Sequence, residues 1–293
     1  MDGRDLLAER FEENRSHLRA VAYRMLGSLT EADDAVQEAW LRLSRSDASS
    51  VENLGGWLTT VVARVCLDML RSRTSRREES IDEHLLEPGA PKSPAIDPEQ
   101  EAVLADSVGL ALLVVLDRLA PAERLAFVLH DMFAVSFEEI GAIVGRTPTA
   151  ARQLASRARK RVQGTGSISI ADRVQQREVV DAFLAALRGA DFEGLLAVLD
   201  PDVLVRVDEV AAREGAPREI RGAANWAKGA IAFAHAAGAS QPALVDGQAG
   251  LLWAPAGHLF RALRFTISNG KISEVEIIAD PVRLGELDLA VLD

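Results

Sequence analysis

Apolar residues in this chain recur every three or four positions through most of its first two-thirds, and alternation at every second position enters at Val203 and dominates from Leu244 onward. These spacings are the periods of a helix face and a strand face, so a helical front and a sheet-bearing back are imposed by pattern alone. The helical part is itself cut in two. Residues 78–101, EESIDEHLLEPGAPKSPAIDPEQE, hold four prolines, many acids and no sustained period, which predicts an extended linker. A length of 293 residues suits two or three domains of ordinary size.

Before the linker, residues 5–28 read as one helix with Leu7, Phe11, Leu18, Val21 and Met25 near one face. Gly27-Ser28 breaks it. Thr30 is the expected cap of the next helix, with Asp33 three residues on. Val36, Ala39, Trp40 and Leu43 form that helix's apolar stripe, and Asp33, Asp34, Gln37 and Glu38 lie on its other side. After a polar loop a third helix buries Trp57, Leu58, Val61, Val62, Val65 and Met69 and runs into RSRTSRR. After the linker, Leu104 to Leu119 read as a helix and Pro121 opens the next, where a missing N–H costs nothing. Ser136 and Glu139 make a capping box, Gly145 ends that short helix, and Thr147-Pro148 starts another. Two short helices joined by a tight glycine turn predict a helix-turn-helix.

Past GTGSIS, Val180, Phe183, Leu184 and Leu187 mark a helix, and Asp191 caps a shorter one. Val203, Val205 and Val207 alternate as a strand, and Ala223 to Ala236 reads as helical. Strands are expected at Leu244 to Trp253, Leu259 to Ser268 and Lys271 to Ile278, with Asn269-Gly270 as a hairpin turn. Helices followed by an antiparallel sheet predict an α+β domain.

Net charge is −11, which taken whole argues against nucleic acid. Phosphate binding, however, depends on local patches. Arg146 to Arg161 carries six basic residues and no acid, and Arg64, Arg71, Arg73, Arg76 and Arg77 are opposed only by Asp68. Charge alone does not separate a phosphate-binding patch from solvated helix faces. One cysteine, Cys66, excludes an internal disulfide and fits a reducing compartment. Neither a signal peptide nor a membrane span is expected, so the location expected is cytoplasmic. Five scattered histidines and that cysteine give no metal-ligand spacing, and no cofactor motif is present.

The segments FEENRSHLRAVAYRMLGSLTEADDAVQEAWLRL and GGWLTTVVARVCLDMLRSRTSRRE resemble the second conserved region of extracytoplasmic-function (ECF) RNA polymerase sigma factors. LAPAERLAFVLHDMFAVSFEEIGAIVGRTPTAARQLASRARKRV resembles that family's fourth region, and residues 172–293 resemble a SnoaL-like domain of the NTF2-like superfamily. The three-part order is similar to the sigma-J-type subgroup. Three subgroup motifs are altered: WLPEP stands as His84-Leu85-Leu86-Glu87-Pro88, NPDKL as Ala279-Asp280-Pro281-Val282-Arg283-Leu284, and DGGGR as Asp208-Glu209-Val210 followed by AAREG. The resemblance implies a multidomain fold: two all-α sigma domains, residues 1–77 and 102–164, the second a helix-turn-helix, then an α+β NTF2-like cone at 172–293.

The roles it implies are specific. Asp33, Asp34, Gln37 and Glu38 match the surface that meets the clamp of the largest polymerase subunit. The loop from Ser44 to Gly56 matches the pocket that traps a flipped −10 base, with Asn53 as a hydrogen-bonding partner; flipping costs roughly a few kcal/mol that a pocket must offset. Arg64, Arg71, Arg73, Arg76 and Arg77 would hold the adjoining backbone. At the −35 element, Thr149, Arg152, Gln153, Ser156 and Arg157 would face bases and Lys160 phosphate, an Arg–guanine or Gln–adenine pair supplying about 1–3 kcal/mol of discrimination. The linker would thread the RNA channel. Candidate pocket residues in the cone are Arg206, Asp208, Asp246, His258 and Arg264. The expected partners are core RNA polymerase, promoter DNA and a small-molecule ligand of the cone, with a monomer when free. Two other readings stay open: a one-component helix-turn-helix regulator with a ligand-sensing cone, and an enzyme built on the cone. The non-enzymatic sigma reading is favoured by the acidic second helix and the linker, which a simple repressor does not need.

Overall fold

The computed structural model describes residues 3–45, 53–80, 109–164, 170–212 and 217–292. Most of the Ser44–Gly56 loop, residues 81–101 of the linker with the His84–Pro88 motif, Leu104, Val108 and residues 213–216 of the AAREG stretch lie outside the described residues. The chain divides into two compact units. One comprises Met1–Val108 and Leu116–Arg159, the other Gly109–Val115 and Lys160–Asp293.

In the first unit, α1 (Gly3–Leu26), α2 (Leu29–Arg45) and α3 (Leu54–Ser80) form a three-helix bundle. Its core takes in much of the expected stripes and more: Phe11, Leu18, Val21 and Met25 of α1, Ala32, Ala35, Val36, Ala39 and Leu43 of α2, and Leu58, Val62, Cys66 and Leu70 of α3. Trp40 and Met69, expected in those stripes, are half-buried at their edges. Two further expectations are corrected. The N-terminus of α2 is capped from Ser28, whose Oγ accepts from the Glu31 N–H at 3.4 Å, and Thr30 lies inside the helix. Trp57 is half-buried, because its place in the first turn of α3 leaves one side uncovered, so it is not a core residue.

The next helix, α4 (Leu110–Asp117), is followed by α5 (Pro121–Phe127), which has its proline at the first helical position as expected. A wide π-type turn, Val128–Met132, leads to α6 (Phe137–Val144) and α7 (Pro148–Gln163). The capping box is complete: the Glu139 N–H donates to Ser136 Oγ, and the Ser136 N–H donates to Glu139 Oε2 at 3.2 Å. Gly145 takes φ +68° to end α6, and the Ala150 N–H donates to Thr147 Oγ1 at 3.2 Å to start α7. At Gly141 a Cβ would lie 2.7 Å from the Arg146 carbonyl oxygen, so only glycine lets α6 approach the turn this closely.

In the second unit, α8 (Ile170–Arg188), α9 (Phe192–Val198) and α10 (Ala223–Ile231) pack on a sheet of seven strands. The strands are β1 (Leu199–Val207), β2 (Glu219–Arg221), β3 (Ser240–Val245), β4 (Gln248–Trp253), β5 (Arg261–Ser268), β6 (Lys271–Ile278) and β7 (Leu289–Val291). Their order is β2-β1-β6-β5-β4-β3-β7. The sheet is mixed rather than antiparallel throughout, because the chain returns from β6 alongside β1 in the same direction. The single strand expected from Leu244 to Trp253 is instead a hairpin. Asp246 and Gly247 take φ +51° and +76°, the left-handed pair that a tight hairpin turn needs. Asn269 and Gly270 make the same turn, as expected, at +52° and +73°. The expected helix at Ala223–Ala236 stops at Ile231, a 3-10 turn at Ala234–Ala239 follows, and α11 (Pro281–Glu286) lies between β6 and β7. Phe183 stacks on Trp226 at 5.4 Å and meets Phe265 edge-on at 5.3 Å in the centre of the core. Among the described residues no helix is long and apolar enough to cross a membrane.

Candidate polymerase, promoter and ligand surfaces

Burial of one face of α2 against α1 and α3 forces its polar face outward. Asp33, Asp34 and Gln37 are exposed and Glu38 is half-buried. Asp33 pairs with Arg19 at 2.7 Å and Glu38 with Arg42 at 2.9 Å. Asp34 and Gln37 carry no side-chain ion pair or hydrogen bond among the described residues, which leaves them the most available members of the face.

On α3 the basic residues separate into two kinds. Arg64, Arg71 and Arg76 are exposed, the first two sharing a face with Asp68. Arg73 turns inward: it pairs with Glu31 and donates to the Leu26 carbonyl at 3.2 Å, which locks α3 to the α1–α2 corner. Arg77 lies in the last turns of α3. Asn53 is engaged as the cap of α3, its Oδ1 accepting from the Gly56 N–H at 3.0 Å.

On α7, Ala151, Leu154, Ala155, Ala158 and Val162 are buried, so Thr149, Arg152, Gln153, Ser156, Arg157 and Lys160 are all exposed. Arg152 lies 5.1 Å over the Phe137 ring, and Arg157 pairs with the buried Glu123 at 2.8 Å. Arg159 is tied to Asp131 at 2.5 Å. Thr149, Gln153 and Ser156 form a strip of α7 with no side-chain partner among the described residues. Behind it, Arg124 of α5 is buried in the first unit. It pairs with Asp117 at 3.2 Å and donates to the Arg24 carbonyl of α1 at 3.3 Å. Nothing in the sequence singles out Arg124, because an arginine beside Glu123 in a helix looks the same whether it reaches solvent or a distant carbonyl.

The second unit holds a cavity of about 270 Å³ between α8, α10 and the inner sheet face. None of the five candidate pocket residues lines it. Arg206 pairs with Glu274 at 3.5 Å on the outer face of the sheet. Arg264 bridges Asp246 at 2.8 Å and Glu276, which Arg283 also reaches. Burial alone would raise the Glu276 carboxyl, but Arg283 and Arg264 outweigh it and hold it below the usual carboxylate range. His258 is exposed in the loop before β5. Asp208 is spent on backbone, accepting from the N–H groups of Ala211, Ala279 and Asp280. Burial pushes its carboxyl up, and those donors with nearby Arg283 bring it below its ordinary value. Only Asp246 and Arg264 are brought together. The charged residue that lines the cavity is Arg261, three residues before Arg264. The alternation that places Leu263 and Phe265 inward places Arg261 with them, and that was the available signal.

A basic helix end and a complete helix-turn-helix in one helical unit mark the class of DNA-binding proteins. Two families match: Sigma-70 region 2 over residues 10–76 and Sigma-70, region 4 over residues 109–162. The chain is 38% identical over 284 residues to the ECF RNA polymerase sigma factor SigJ of Mycobacterium tuberculosis, covering 92% of this chain and 91% of that protein. It is 33% identical over 293 residues to a probable ECF RNA polymerase sigma factor, SigI, of the same species, covering 98% of each. The crystal structure of SigJ from that species aligns with a TM-score of 0.46 at 33% identity, covering 95% of this chain and 98% of that one. The chain belongs to the ECF RNA polymerase sigma factors, with two helical sigma domains followed by a mixed-sheet α+β domain, and its function is promoter-specific transcription initiation.

Proposed function

We propose that the acidic face of α2, Asp33, Asp34, Gln37 and Glu38, engages the clamp of the largest subunit of core polymerase, and that promoter contact follows from that engagement. The observation that carries this reading is the unpartnered Asp34–Gln37 face in the same unit as a complete helix-turn-helix. A regulator acting on DNA alone needs only the second. In this scheme Thr149, Arg152, Gln153, Ser156 and Arg157 read the −35 duplex, and Lys160 holds phosphate. Arg64, Arg71, Arg76 and Arg77 hold the backbone beside the −10 element, while Arg73 and Asn53 keep α3 in place for them. Tethering both contacts through polymerase raises the effective concentration of each weak DNA-binding surface. The protein acts in the cytoplasm, where its polymerase is.

The domain at residues 172–293 regulates this activity and is not catalytic. In support, the described lining of its cavity is apolar apart from Ser240 and Arg261, the make-up of a binding pocket.

The test is run-off transcription and binding with purified core polymerase. Asp34→Lys reverses a charge at the proposed contact and is expected to weaken association by at least about tenfold. Gln153→Ala is expected to leave association intact and relax promoter choice. Undiminished association of the Asp34→Lys protein removes the clamp assignment.

A further inference from the structure

The cavity of the second unit is walled by apolar side chains from α8, α10 and five strands, Phe183, Trp226, Leu251 and Ile277 among them. Among the described residues its single charged lining residue is Arg261. The guanidinium is held between two rings, 5.7 Å from the centre of Phe233 and 5.8 Å from that of Trp253. Cation–π contacts of this kind fix a guanidinium without satisfying its N–H donors. The Nε of Arg261 is buried and has no hydrogen-bond partner among the described residues. Asp208 is the nearby carboxylate, but its oxygens already accept from Ala211, Ala279 and Asp280.

A buried donor without an acceptor is costly, and a guanidinium fork matches the paired oxygens of a carboxylate or a phosphate. A cation would face Arg261, and the nearby Asp208 already accepts from three backbone N–H groups. A dianionic phosphate would bring one charge more than this wall neutralises. A volume near 270 Å³, at about 30 Å³ per small non-hydrogen group, holds roughly nine such groups. We infer that this cavity is a binding site for a monocarboxylate with a compact apolar body, an acid of medium chain length or a single substituted ring, whose carboxylate meets Arg261. The inference rests on the second unit alone, not on the sigma reading.

The experiment uses the full chain without polymerase. Octanoate and octan-1-ol are titrated separately, followed by calorimetry and by tryptophan fluorescence, since Trp226 and Trp253 line the cavity. Octanoate is expected to saturate and to bind at least about tenfold tighter than the alcohol. Arg261→Met is expected to lose about ten- to hundredfold of octanoate affinity, the worth of a charge-assisted hydrogen bond, while alcohol binding is retained. Gly229→Phe fills the cavity from a position where a Cβ meets nothing within 4 Å, and is expected to abolish both. No saturable octanoate binding, equal affinity for acid and alcohol, or octanoate binding unchanged by Gly229→Phe each overturns the inference. Because polymerase is absent, each of those failures leaves the transcription reading standing, and failure of that reading leaves the site.

Discussion

Cys66 illustrates how burial decides chemistry at a single residue. Its side chain is enclosed by the three-helix core, and burial pushes the thiol up to about 12 against the pull of Arg124 and a backbone hydrogen bond. The thiolate is the reactive form, so native protein at pH 8 is expected to resist a thiol-specific disulfide reagent, while urea-unfolded protein reacts stoichiometrically. Fast labelling of the native form would contradict the packing around α3. Asp208 and Glu276 show the opposite sign. Both carboxyls are held below their ordinary values in the folded state, so their stabilisation is present above the unfolded pKa and is lost as pH falls through the folded one. The urea midpoint of Asp208→Asn is therefore expected below wild type at neutral pH, with the gap closing in acid. A gap independent of pH down to 3 would mean that the backbone donors do not depend on that charge.

Helices and turns carry their own predictions. The helix-turn-helix depends on Gly141, where any Cβ meets the Arg146 carbonyl oxygen at 2.7 Å. Gly141→Ala is expected to destabilise the protein by about 1–3 kcal/mol, the range for forced overpacking, and to weaken −35 recognition, both read by urea unfolding and by run-off transcription. Unchanged stability would show that α6 shifts freely. The caps of α6, α7 and α9 were legible because they rest on residues within three positions of one another. The hairpin at Asp246-Gly247 carried the same local signal as Asn269-Gly270, but its apolar flanks made ten residues look like one strand. The Thr30 cap failed for a comparable reason: Ser28 offers the same chemistry two residues earlier, and the packing of Leu29 against the bundle selects it.

At the scale of the molecule, local periodicity was enough to divide helical sigma domains from a sheet domain, and short motifs were enough to locate the helix-turn-helix. Which arginines face outward followed only partly. Alternation along β1 places Val203, Val205 and Val207 inward and thereby Arg206 outward, yet the inward position of Arg261 depends on β5 lying between β4 and β6. Arg73 and Arg124 satisfy carbonyls 47 and 100 residues away in sequence, a separation over which no spacing rule operates. The sequence by itself determined the passage from helices to sheet, the caps of α6, α7 and α9 and the polar face of α2, because each depends on neighbours within one or two helical turns. Only the tertiary structure decided that Arg73 and Arg124 are structural, that the candidate pocket residues lie on the outer sheet face or in turns, and that one guanidinium lines the cavity. The physical reason is that burial of a charge is set by what the distant chain places beside it.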